Sequence, residues 1–122
     1  MPKFGISKDQ FEILDQIVEK YKSITKVIIF GSRAKNTHKQ YSDIDLCLVG
    51  NISESQLAEI NSDIMESNLI YTVDVVVFEN ITNQKLKQNI QMDGQVFWER
   101  VGYTKSNTNL QSKLPPTFQV DP

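Results

Sequence analysis

The chain is expected to fold as a small α/β (α+β) domain, a mixed β-sheet flanked by helices. Three observations predict this. Ser7 with Gln10 and Ser53 with Gln56 each have the form of a capping box, and each opens a stretch whose apolar residues recur at helical spacing. Three runs of β-branched and apolar residues alternate with those stretches. At 122 residues the chain is long enough to bury one core but gives no reason to seek a second domain.

Behind Ser7, the residues Phe11, Leu14, Ile17, Val18 and Tyr21 form one face, which predicts a helix over 8–22. The run 23–30 changes to strand composition and stops at Gly31. Residues 32–40 are polar and basic, and their first turn is read as a short helix starting at the Gly31-Ser32 corner. A second strand over 42–49 is closed by Gly50-Asn51. Leu57, Ile60 and Ile64, with Ala58 and Met65, supply the stripe of a second helix ending near Glu66. The run 70–78 is nearly continuous in apolar residues, as a central strand covered on both sides would be. A shorter helix over 82–92 turns inward Leu86 and Ile90, and 95–99 forms a last strand or docks on the body. Beyond Gly102 the text becomes rich in Ser, Thr, Asn, Gln and Pro, so 1–102 reads as the domain and 103–122 as a polar tail, flexible or ordered by a partner.

Composition narrows the function classes. A formal net charge of -2 gives no general attraction to a nucleic-acid backbone, so a small molecule or a protein is the expected partner. The single Cys47 cannot form an internal disulfide, which fits a reducing cytoplasm. No apolar run approaches the roughly 18 residues a membrane span needs.

The chemistry concentrates at 28–49. Asp43 and Asp45 flank Ile44, so on an extended strand both carboxylates leave one face while Ile44, Leu46 and Leu48 leave the other. Asp74 is the one charge in its apolar run, and an unpaired buried acid costs several kcal/mol, so it is expected to face a cation or an open cleft. Magnesium takes oxygen ligands and is commonly held by a few carboxylates together with nucleotide phosphates. Two ions about 3.5–4 Å apart can clamp an in-line phosphoryl displacement. Asp43, Asp45 and Asp74 are therefore the candidate metal-binding and catalytic residues, with Asp74 also placed to take the proton of an attacking hydroxyl. Gly31 lets backbone approach a phosphate, Ser32 offers a hydroxyl and an N–H, and Arg33 and Lys35 are candidate triphosphate contacts.

Gly31-Ser32, ten residues, then Asp43-Ile-Asp45 resembles the GS-x10-DxD signature of the DNA polymerase β-like nucleotidyltransferase superfamily, and Asp74 looks like its third carboxylate. The runs Gly-Ser-Arg-Ala and Ser-Asp-Ile-Asp-Leu and the short length are most similar to its minimal members. The resemblance covers residues 8–99. It implies the polymerase β-like nucleotidyltransferase fold and a magnesium-dependent transfer of AMP from ATP to a hydroxyl, with two ions. It also implies an antitoxin role, in a hetero-oligomer with a small helical HEPN-type ribonuclease toxin that is modified on a tyrosine. One departure is Asn36, where many relatives have glycine; asparagine tolerates a left-handed backbone better than most residues.

Plainer roles are assigned elsewhere. His38 reads as a loop residue, because magnesium favours oxygen, and Cys47 as a small buried thiol. Phe97 and Trp98 read as core packing. Two rival functions stand beside transfer to a protein: neutralisation by binding alone, with 96–98 and the tail as contacts, and nucleotidyl transfer to a small molecule or an RNA end.

Overall fold

The computed structural model describes residues 3–100. The tail at 103–122 and the domain boundary at 102 lie outside the described residues. In chain order the elements are α1 (Lys8–Lys20), β1 (Ile24–Phe30), β2 (Ile44–Gly50), α2 (Glu54–Met65), β3 (Val73–Val77), α3 (Gln84–Asp93) and β4 (Gln95–Glu99), with a 3₁₀ turn at Phe78–Asn80. The strands make one mixed sheet in the order β3-β2-β1-β4. β1 runs antiparallel to both β2 and β4, while β2 and β3 are parallel and joined through α2.

The serine half of each expected capping box is present, while the glutamines turn elsewhere: Gln10 Oε1 accepts from the Ile70 N–H and Gln56 Oε1 from the Ser23 hydroxyl. Ser7 Oγ accepts from the Gln10 N–H at 3.4 Å and Ser53 Oγ from the Gln56 N–H at 3.1 Å; such a cap contributes about 1 kcal/mol. α1 stops at Lys20, short of 22, because Tyr21 turns extended, buries its ring and donates its phenol to Asp63 of α2. The start of α3 was legible in Asn83, not Thr82: the Asn83 side chain accepts from the Leu86 N–H at 3.0 Å.

Period two in the strands sorts the core into two layers. Ile44, Leu46 and Leu48 meet Val27 and Ile29 of β1 and the helical residues Leu14, Val18 and Ile60 in the larger one. Cys47 and Val49 point to the opposite face, where Ile28, Phe78 and Ile90 of α3 close a smaller core. Both faces of β2 are therefore covered along most of its length. Toward its first residues the second face is left open, and there Asp45 is half-buried and Asp43 exposed.

The expectation of a central strand over 70–78 is corrected. β3 begins only at Val73 and occupies the edge of the sheet, with Asp74 exposed. Residues before it follow other partners: Tyr71 lies against Arg33, and Ile70 is 64% exposed. A run of β-branched residues records that one face packs and the strand is stiff, but carries no mark of how many neighbouring strands it has.

Candidate functional site

The site is assembled where β1 ends, β2 begins and β3 passes alongside. Phe30, the last residue of β1, pairs with Asp45 of β2, and Asp45 pairs in turn with Asp74 of β3. Gly31, next after Phe30, thus arrives against Asp45. It takes φ +77, and a Cβ there would run into the Asp45 carboxylate, so glycine is required both by backbone conformation and by space. A tight turn follows, in which the Lys35 N–H donates to Gly31 O at 3.2 Å and the Thr37 N–H to Ser32 O at 2.9 Å. The expected short helix is no more than this turn. Asn36 closes it with φ +60, the left-handed conformation that suits asparagine. From the other side of the sheet the Gln95 amide donates to Ala34 O at 2.8 Å and pins the turn to β4.

Asp43 stands just before β2, near enough for its charge to act on Asp45. Burial first, then the charges of Asp74 and Asp43, raise the pKa of the Asp45 carboxyl above its ordinary value. Asp45 therefore senses the other two acids. Among the described residues none of them makes an ion pair or hydrogen bond with a protein group. The structure thus gathers Asp43, Asp45, Asp74, Gly31 and Ser32 into one locality.

The candidate phosphate contacts divide. Lys35 is exposed on the turn beside Ser32. Arg33 is corrected: it is 1% exposed and directed inward, away from solvent. Its guanidinium donates to Ser42 O at 2.8 Å and 3.1 Å, to Phe4 O at 2.9 Å and to Gln40 O at 3.3 Å, leaving no face for a phosphate. The guanidinium also lies 4.6 Å from the centre of the Tyr71 ring. Sequence reasoning overlooked Tyr71, Gln95 and the N-terminal turn Lys3–Ile6 that supplies Phe4 O. The one local signal was Gly5, which has φ +72 with His38 packed against it. His38 is a loop residue with its Nδ1 buried and without a hydrogen-bond partner. Phe97 is buried, its ring 4.5 Å from that of Phe11, and Trp98 is half-buried beneath Arg100. The packing expected of Phe97 and Trp98 is thereby found, complete for Phe97 and partial for Trp98.

Residues 12–101 match the model of the family described as polymerase beta, nucleotidyltransferase. The chain belongs to that nucleotidyltransferase family. It is 25% identical over 92 residues to a candidate protein adenylyltransferase of Methanocaldococcus jannaschii, a stretch that covers 71% of this chain and 92% of that protein. Among solved structures it is similar to a toxin–antitoxin crystallised with AMP-PNP, at TM-score 0.60 and 19% identity, covering 75% of this chain and 74% of that one. It is also similar to a complex of tri-AMPylated Shewanella oneidensis HEPN toxin with its MNT antitoxin, at TM-score 0.56 and 17% identity, covering 76% and 72%. At these identities the two structures bear on the fold, which is that of the nucleotidyltransferase family.

Whether the acids suit a divalent cation can be judged from their chemistry. No three His, Cys, Asp or Glu side chains among the described residues converge as a ready-made cage. A closed cage is not what magnesium needs, since it is usually held by one or two carboxylates, waters and the phosphates of a substrate. A half-buried carboxylate on which two further acids act, with no cation of the described residues paired to any of them, fits that donor set.

Proposed function

We propose that this nucleotidyltransferase transfers AMP from ATP to a hydroxyl of a partner protein, a tyrosine of a cognate HEPN-type ribonuclease toxin, and so acts as an antitoxin in a hetero-oligomer. The observation that carries the reading is the strand register, which sets Asp45 opposite both Asp74 and Phe30, the residue before the Gly31-Ser32 corner, at an open sheet edge. Asp43 and Asp74 are exposed, so a bulky acceptor can reach them. The M. jannaschii relative and the tri-AMPylated toxin complex support the choice of a protein acceptor. The family and the AMP-PNP of the similar structure support a nucleotide donor.

Asp43, Asp45 and Asp74 would hold magnesium, which when bound supplies charge neutralisation and Lewis acidity at the phosphates. The backbone N–H and hydroxyl of Ser32, with Lys35 beside it, would orient the triphosphate. The acceptor oxygen attacks the α-phosphorus, the bond from that phosphorus to the bridging oxygen breaks, and pyrophosphate leaves. The acceptor's proton passes to a carboxylate, for which Asp74 on the exposed edge is the choice. Among the described residues no helix is long and apolar enough to cross a membrane, and the buried free thiol of Cys47 suits a reducing cytoplasm.

The test is incubation of the protein with α-labelled ATP, magnesium and a HEPN-type protein sought in the adjacent reading frame. Label should pass to that partner, and the Asp43→Ala, Asp45→Ala double variant should transfer none. Neutralisation of the partner that persists undiminished in the double variant would instead establish inhibition by binding alone.

A further inference from the structure

We infer that Arg33, backed by the ring of Tyr71, is a positioning residue that holds the phosphate corner and both acid-bearing strands in one arrangement without touching the nucleotide. The inference rests on the nucleotidyl-transfer reading above and names how that site is kept in shape. Arg33 follows Ser32 directly, so its backbone is part of the corner. Its guanidinium donates twice to Ser42 O, the carbonyl of the peptide that leads into Asp43, and once to Gln40 O. Its carbon lies 4.6 Å from the centre of the Tyr71 ring, three residues ahead of Asp74, and Ile44 N–H to Thr72 O at 2.9 Å continues the same seam. One side chain therefore touches the segments that carry Ser32, Asp43 and Asp74.

The remaining donor explains an otherwise costly turn. Phe4 has φ +58 and Gly5 φ +72, and a left-handed non-glycine residue costs about 1–2 kcal/mol. The turn is held by Ile6 N–H to Lys3 O at 2.9 Å and by Arg33 to Phe4 O at 2.9 Å. Its carbonyl gives the guanidinium a fourth hydrogen bond, the one made by Nη1. The charge of Arg33 is thus met by carbonyl dipoles and a ring face, and by none of the acids among the described residues. An arginine paired with Asp43 or Asp74 would compete with a metal ion, whereas this arrangement orders the acids and leaves their charge free. Lysine cannot replace it, since a single ammonium does not span three carbonyls and a ring in a fixed plane.

The wild type, Arg33→Lys, Tyr71→Leu and Tyr71→Phe are compared in two ways, each well below the melting temperature: steady-state AMP transfer at varied ATP, and amide hydrogen exchange without nucleotide. Arg33→Lys and Tyr71→Leu should lower kcat by about tenfold or more, because small misplacements of reacting groups are costly, with KM for ATP changed less than about threefold. Tyr71→Phe should behave as wild type. Exchange should quicken across 40–46 and 72–76 while α1 and α2 keep their protection. Wild-type kcat in Arg33→Lys overturns the inference, and so does a rise in KM for ATP with kcat unaltered, which would make Arg33 a phosphate ligand. Should Arg33→Lys fail to fold, Tyr71→Leu against Tyr71→Phe decides. Absence of transfer by the wild type overturns the functional reading alone; the exchange comparison then still judges the clamp, and unchanged exchange at 40–46 refutes it.

Discussion

Replacing Gly31 by alanine separates what the fold requires from what the chemistry requires. At φ +77 an alanine is held left-handed, at about 1–2 kcal/mol. The lower entropy of the unfolded chain adds to the folded state's advantage by about 0.4–1 kcal/mol, which offsets part of that cost. The net loss is then roughly 1 kcal/mol, or a fall in Tm of about 4 °C for a domain of this size. The second consequence is larger. The new Cβ falls on the Asp45 carboxylate, which is the free end of a side chain and yields more readily than the backbone of β1. A carboxylate displaced by about 1 Å is expected to cost about 100-fold in rate. The assay is kcat for AMP transfer at saturating ATP, beside a thermal melt of the same preparation. A Gly31→Ala protein with kcat within threefold of wild type would refute the placement of Asp45 in the site. A loss of Tm many times larger than 4 °C would refute the claim that the carboxylate, and not the backbone, gives way.

Other outcomes follow from the same structure. The Asp45 carboxyl has its pKa raised by burial and by Asp74 and Asp43, so its charge destabilises the fold above that raised pKa; the penalty disappears as pH falls toward the ordinary value of 3.8. Asp45→Asn should therefore raise the melting temperature at pH 7 in chelator while abolishing transfer, and its stability advantage should shrink on acidification. Ile90 is fully buried in the small core beneath the site, and Ile90→Ala should cost about 2–5 kcal/mol in denaturant unfolding. Cys47 is fully buried, with its thiol pushed up to about 12, so native protein should resist a thiol reagent at pH 8 and react fully once unfolded.

How much of the site could be read beforehand differs residue by residue. Asp43 and Asp45 declare a shared face because strand alternation is a local rule, and Gly31 marks a turn because no other residue enters left-handed backbone without cost. Arg33 looked like Lys35 in the sequence, two basic residues in a polar connection, yet one is buried and the other exposed. Nothing within a few residues of Arg33 announces that Phe4 O, Ser42 O and the Tyr71 ring will surround it. Asp74 was singled out because a charge in an apolar run is conspicuous, but its reason for being tolerated was misplaced: it sits on an edge, not in the middle of the sheet.

By itself the sequence determined the helices, through their caps and stripes, and the strands, through β-branching and alternation, since each depends on neighbours within a few positions. It also determined the spacing from Gly31-Ser32 to the two aspartates. Tertiary structure decided the order β3-β2-β1-β4, the pairing of Asp45 with Asp74 and the inward turn of Arg33. Those depend on which surfaces meet across the molecule, and burial is a property of the assembled sheet and helices that no single stretch of chain contains.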